Sequence, residues 1–339
     1  IGSHANGGTD YDFNGLCDDV RVHNRALSMD EIAAIATDEF VATDTVSVTI
    51  NAINDAPYFS DKTNAVVDQI SLTDVKSVTS TDLDNDGDTD LIATTDTGSL
   101  YWYENDGTGS FGPGNLIASA QNFRAVEVYD LEGDGDMDIV AMNDDPADAA
   151  NSVYVLTNNF NGSGSVSFNT SSFEGSVGGE SDGGQDLAIG DIDGDGRADI
   201  VGLFYRGIGD SQVVVFEQNA VGVWTKTYSD AVNNANGVAI ADMDGDLDLD
   251  IAVGDFQDKE IRWYENDGAT TAGFTRQTIL YDSDLFPVDV NVADFDGDGD
   301  QDIVYATWGS TDEVVLLRND GAANPSFTAE SIYTATSGL

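Results

Sequence analysis

Carboxylates recur at alternate positions in five nine-residue segments of this chain. The first holds Asp82, Asp84, Asp86, Asp88 and Asp90, and the second Asp130, Glu132, Asp134, Asp136 and Asp138. The third holds Asp191, Asp193, Asp195 and Asp199, with Arg197 at its seventh position. The fourth holds Asp242, Asp244, Asp246, Asp248 and Asp250, and the fifth Asp294, Asp296, Asp298, Asp300 and Asp302. Acids packed so closely repel one another unless a cation lies among them. Calcium suits such a set, because it takes six to eight oxygens at about 2.3–2.6 Å in a flexible geometry. Side-chain oxygens at positions 1, 3, 5 and 9, with a main-chain carbonyl at position 7, can wrap one ion. All 25 of these residues are candidate metal-site residues, and about five Ca²⁺ ions are expected.

Position 6 is Gly87, Gly135, Gly196 and Gly299 in four segments, where a sharp turn at positive φ needs a residue without Cβ. Leu247 stands there in the fourth, which predicts a strained turn and the weakest of the five sites. Glu132 replaces the usual Asp at position 3 and gives a longer reach around the same ion.

The helix-flanked calcium loop with a bidentate Glu at position 12 is excluded. Position 12 is Ala93, Ala141, Gly202, Val253 and Tyr305. The segments run instead into Leu91-Ile92, Ile139-Val140, Ile200-Val201, Ile251-Ala252 and Ile303-Val304, short apolar runs that read as strands. The elements that position the acids are therefore strands on either side of each loop.

The first aspartates lie 48, 61, 51 and 52 residues apart, so the loops mark a repeat. One copy reads Val238–Asp242 into its loop, then an Asp-Ile strand, then a strand ending Trp263-Tyr264-Glu265-Asn266-Asp267-Gly268. Trp102–Gly107 repeats that ending, and Leu317–Gly321, Val215–Asn219 and Val155–Asn159 occupy the same place elsewhere. A more polar strand follows, such as Gly273–Ile279. This arrangement resembles the FG-GAP/VCBS repeat family, whose four-stranded blades build the β-propeller of integrin α-subunits and many bacterial surface proteins. The resemblance covers about residues 60–339. It implies an all-β β-propeller of four-stranded blades joined within each blade by an Asp-rich calcium loop. The family commonly closes with seven blades. Five motif-bearing blades leave three arrangements open: a fragment, closure with five, or further blades without the motif. Thr336–Leu339 resembles the start of another repeat, which favours a fragment.

Residues 1–40 resemble the closing part of a laminin-G/concanavalin-like jelly roll, on Phe13–Ser28 and a capping-box pattern at Ser28–Glu31 before the apolar run Ile32–Ala36. Residues 41–59 resemble the last strand and linker of a cadherin-like or Ig-like module, with Val46, Val48 and Ile50 alternating with Ser and Thr ahead of Asn54-Asp55-Ala56-Pro57. Residues 60–339 form the propeller. No leader pattern and no apolar stretch of membrane-spanning length is visible. Tandem modules of these kinds resemble a large bacterial surface or secreted protein.

Net charge is −51, with 63 acidic against 12 basic residues, and the five loops hold 24 of those acids. A chain this acidic lacks the basic footprint that nucleic acid requires, and an anionic membrane surface repels it. No nucleic-acid partner and no membrane insertion are expected. Weak calcium loops, with affinities of roughly 10⁻⁴–10⁻³ M, fill in extracellular calcium, so the expected location is outside the cell or on its surface. Cys17 is the single cysteine, so no internal disulfide exists.

Catalysis is not expected. The chain has two histidines, His4 and His23, both before the propeller, and no nucleophile motif. A carboxylate pair serving a lyase or glycosidase propeller stays open as a lesser alternative. The expected role is adhesion or matrix binding, by a calcium-binding module whose ligand is a glycan or a protein. The alternatives are a carbohydrate-binding module of a polysaccharide-degrading enzyme, or a spacer. Trp102, Tyr103, Phe204, Tyr205, Trp263, Tyr264 and Trp308 are the aromatic leads for a ligand surface, and packing between neighbouring blades, which a propeller needs, is the first use expected of such rings. Two loops, at Arg206–Asp210 and Asn143–Asn151, are further candidates.

Overall fold

A computed structural model describes residues 75–95, 97–119, 121–145, 152–160, 166–175, 183–207, 210–282, 286–309 and 312–334. All lie in the second of two compact units of the chain, Ala65–Leu339. The jelly-roll and linker readings of residues 1–59 lie outside the described residues, as do positions 146–151 of the second candidate loop.

Five four-stranded antiparallel sheets follow one another as the blades of a propeller ring. Blade 1 comprises β1 (Val75–Thr81), β2 (Asp90–Thr95), β3 (Leu100–Tyr103) and β4 (Asn115–Ala118). Blade 2 comprises β5 (Phe123–Tyr129), β6 (Asp138–Asn143), β7 (Val153–Asn158) and β8 (Phe168–Phe173). Blade 3 comprises β9 (Gly183–Gly190), β10 (Asp199–Gly207), β11 (Asp210–Ala220) and β12 (Val223–Val232). Blade 4 comprises β13 (Ala235–Ala241), β14 (Asp250–Asp255), β15 (Glu260–Asn266) and β16 (Phe274–Tyr281). Blade 5 comprises β17 (Pro287–Ala293), β18 (Asp302–Thr307), β19 (Glu313–Asn319) and β20 (Phe327–Thr334).

Within each blade the strands pair in chain order. The Asp loop therefore joins the first strand to the second at one end of the blade. The turn between the second and third strands, and the crossing to the next blade, lie at the other end. Of the first candidate loop, Arg206 and Gly207 end β10 and Asp210 opens β11, with Gly207 paired to Asp210; positions 208–209 lie outside the described residues.

Successive strand residues point to opposite faces, and in blades 2, 3 and 4 the middle strands are sandwiched between two neighbouring blades. Ile251 and Val253 pack with Val201, Leu203, Val213 and Val215 of blade 3. Ala252, between them, packs with Val290, Ile303 and Tyr305 of blade 5. Burial on both faces explains why these strands read as apolar runs rather than as alternation. Four such clusters fill the interfaces of blades 1–2, 2–3, 3–4 and 4–5.

Most of the aromatic leads serve this packing. Trp263, Tyr264, Phe204 and Tyr103 are buried, and Trp102 packs against the cluster between blades 1 and 2. Phe204, Trp263, Tyr264 and Trp102 take the packing role between blades rather than a place on a ligand surface. Trp308 differs: it is 64% exposed.

The residue at loop position 2 seals each interface beside the loop. Leu83, Leu131, Ile192 and Met243 are at most 4% exposed, while Phe295 of blade 5 is 50% exposed. The apolar second position of an otherwise acidic loop is thus a core position for the following blade.

Candidate metal centres

The ninth aspartate of every loop is buried and clamps three strands together. One oxygen of Asp250 accepts the N–H of Met243 at 3.0 Å, and the other accepts the N–H of Asn266 at 2.8 Å. Asp90 does the same with Leu83 and Asn105, and Asp138 with Leu131 and Asn158. Asp199 holds Ile192 and Gln218, and Asp302 holds Phe295 and Asn319. The short carboxylate places both oxygens where main-chain donors would otherwise be buried without partners.

The first aspartate folds the loop back on itself. Asp82 accepts the N–H groups of Asp86 at 3.0 Å and Gly87 at 2.9 Å. Asp130, Asp242 and Asp294 accept at the same two positions, and Asp191 accepts from Gly196. The fifth-position carboxylate then caps the seventh N–H, as Asp246 does for Asp248 at 3.0 Å. Gly87, Gly135, Gly196 and Gly299 adopt φ between 87° and 101°, as the tight turn requires. Leu247 adopts φ 79° and points into solvent, 89% exposed. The predicted strain at this residue is present. The loop keeps its hydrogen bonds all the same, because the Leu247 side chain meets no obstacle outside.

Ligand oxygens converge in four of the five loops among the described residues. One oxygen each from Asp82, Asp84 and Asp86 lies within 4.8 Å of the others, and so do Asp242, Asp244 and Asp246. In the third and fifth loops the groups are Asp191, Asp193 and Asp199, and Asp294, Asp296 and Asp302. In the second loop Glu132 lies exposed. The fourth loop, expected to be the weakest, thus keeps a triad.

The donor set fits a hard cation. Oδ1 of Asp84 and Oδ1 of Asp191 are buried with no hydrogen-bond partner, which is costly for a carboxylate unless an ion takes the lone pairs. Burial raises the Asp84 carboxyl to about 6, with Asp86, Asp90, Glu104 and Asp82 adding to it. Burial likewise lifts Asp138 and Asp199 to about 6 and Asp250 to about 7, against the pull of their N–H donors. A divalent ion would reverse that repulsion. Asp82, Asp84 and Asp86, and their counterparts, would hold it.

Arginine partly neutralises two loops. Arg197 pairs with Asp195 and donates Nε–H to the Gln218 carbonyl at 2.6 Å. Arg318 reaches Asp296 at 2.7 Å. The side chains of Asp88, Asp248 and Asp300, at position 7, lie against Gly107, Gly268 and Gly321; a Cβ there would come within 2.5 Å of the carboxylate. That close approach explains the Asn-Asp-Gly endings: the glycine makes room for the loop acid of its own blade.

The asparagine of that ending was not anticipated as part of the site. Asn158 Nδ2–H donates to the carbonyls of Leu83 at 2.9 Å and Met137 at 3.2 Å. Asn266 does so to Ile192 at 2.8 Å and Leu249 at 3.0 Å, and Asn319 to Met243 at 2.8 Å and Gln301 at 3.0 Å. In each case one carbonyl belongs to the loop of the preceding blade and the other to the residue's own loop. Asn85 of the first loop also donates to Asp136 of the second at 2.6 Å. The signal was present in the sequence as an Asn 15 to 20 residues beyond the ninth aspartate.

These features define a β-propeller with acidic loops fitted to metal. Residues 82–141 and 242–305 match the FG-GAP-like repeat, each match running from one Asp loop through the next. No curated protein matches the chain.

Proposed function

We propose that this chain is a calcium-stabilised propeller module of an exported bacterial surface or secreted protein, acting in adhesion or matrix binding. The observation that carries the reading is the convergence of carboxylate oxygens in the Asp loops, with buried oxygens of Asp84 and Asp191 left without donors. Each ion would neutralise a loop that is hydrogen-bonded to the next blade, so calcium would set the rigidity of the whole face. FG-GAP-like repeats are typical of extracellular domains, and millimolar calcium outside the cell suits loops of this acidity. Among the described residues no helix is long and apolar enough to cross a membrane.

The test is a thermal melt in millimolar calcium and in chelator. At about one to ten times its Kd, as millimolar calcium is for such loops, a ligand that binds only the folded state adds about 0.4–1.4 kcal/mol per site, summed over the filled loops. A large fall of Tm in chelator is expected, and coincident melts would refute the structural role of calcium. Trp308 favours a glycan as the ligand over a spacer role.

A further inference from the structure

Six residues beyond the ninth loop aspartate the blades carry Asp96, Asp144, Tyr205, Phe256 and Trp308. In blades 2 to 5 this position lies at the end of the blade opposite the acidic loops. In blades 4 and 5 it forms a small aromatic platform. The Trp308 ring stacks on Phe256 at 6.0 Å with an interplanar angle of 23°, and Phe286 lies against Phe256 at 5.3 Å. The main-chain N–H of Trp308 donates to the Phe286 carbonyl at 3.0 Å.

The turn that carries Phe256 is held rigidly from below. Arg262, 3% exposed, pairs with Asp255 at 2.8 Å, with Glu260 at 2.9 Å and with Asp258. Asp255 accepts the N–H groups of Asn233 at 2.8 Å and Asp258 at 3.0 Å. Lys259 is held at φ 63°, and its N–H returns to the Asp255 carbonyl at 2.9 Å. A left-handed non-glycine residue fixed by a buried charge network is a preorganised turn.

We propose that Trp308, Phe256 and Phe286 form a stacking subsite for one ring of a neutral glycan. The inference rests on reading the propeller as a ligand-binding module. Size argues against a protein partner, because three rings fall far short of the roughly 800 Å² that each side of a stable protein interface contributes. Charge selects within small ligands. Asp312, whose carboxylate accepts the Gly309 N–H at 3.1 Å beside Trp308, and the chain's net charge of −51 oppose a uronate or a sulfated sugar. The Lys259 ammonium already sits 4.4 Å over the Phe286 ring and opposes a second cation. A neutral pyranose can lay its apolar face on the outer side of Trp308.

The experiment uses the full chain in calcium, with immobilised neutral glucans, galactans and mannans, with alginate and a sulfated galactan as anionic probes, and with an Arg-rich peptide as a cationic one. Tryptophan emission and retention are read for wild type, Trp308→Ala and Phe256→Ala. At least one neutral glycan should bind with an emission shift, and Trp308→Ala should weaken it by about tenfold with an unchanged melting curve. Trp308 is exposed, so that variant keeps its core. Undiminished binding by Trp308→Ala, preference for the anionic or cationic probes, or no binding to any neutral glycan would overturn the subsite. The chelator melt is independent of all these outcomes and tests the calcium-module reading by itself.

Discussion

The side-chain amide of Asn266 donates to the carbonyl of Ile192 at 2.8 Å and to that of Leu249 at 3.0 Å. One residue of blade 4 thereby closes on the Asp loop of blade 3 and on its own. The bond to Ile192 is buried and that to Leu249 half-buried, so the pair is worth more when lost than when counted. Asn266→Ala should cost about 1–3 kcal/mol by urea denaturation in calcium, for buried carbonyls left unpaired. The Asn105 amide donates to the Thr89 carbonyl of its own loop at 2.9 Å and its oxygen accepts from Gly107 and Gly109, all at exposed sites within one blade, so Asn105→Ala should cost less. An equal or larger loss at Asn105 would contradict the inter-blade role.

Stability without calcium should fall as pH rises. Burial lifts Asp138 and Asp199 to about 6 and Asp250 to about 7. Asp186, whose carboxylate takes the Val238 N–H at 2.9 Å across two blades, is lifted to about 7, first by burial and then by Asp289 and Glu127. With folded values above unfolded ones, the folded state holds more protons between pH about 4 and 7. Stability from these groups is complete below about 4 and is lost as pH climbs through 6 to 7. Calcium should reverse the slope, because it competes with protons for the loop acids. Urea midpoints at pH 5 and 7.5, with and without chelator, check this; a midpoint in chelator that rises with pH would be incompatible with it.

Leu247→Gly removes a large apolar side chain without loss. The residue is 89% exposed and sits at φ 79°, a conformation costing an L-residue about 1–2 kcal/mol. Glycine relieves that strain but gives back roughly 0.4–1 kcal/mol through a freer unfolded chain. Stability in calcium should stay level or rise by about 1 kcal/mol, measured by thermal melts. A drop beyond about 1 kcal/mol would show that Leu247 makes a contact the fold depends on.

The loops were legible because their chemistry is local. Carboxylates at alternate positions, glycine at position 6 and a following apolar strand specify the turn within nine residues. The blade pattern followed from the spacing of Asp82, Asp130, Asp191, Asp242 and Asp294. What escaped was everything carried between blades. Trp263 and Tyr264 are adjacent in sequence yet pack into different interfaces, so their burial depends on neighbours about fifty residues away. The bond from Asn319 to Met243 spans 76 residues, and only the assembled ring reveals it. Trp308 was singled out with six other aromatics, and sequence could not tell the one exposed ring from its buried companions.

Among the described residues each blade is clasped by its neighbours, and a structure so built behaves as a chain of links under mechanical load. Tension applied at the two ends should peel blades away singly, each yielding 48–61 residues. At about 3.3–3.6 Å per residue, every release would lengthen the protein by roughly 160–220 Å. The Asp loops lie beside the Asn clasps that must part, so calcium should raise the force of each step without changing its length. Single-molecule pulling would show a ladder of steps that weakens in chelator, whereas one concerted rupture would rule the ladder out. A propeller built this way would absorb sudden load by lengthening in stages.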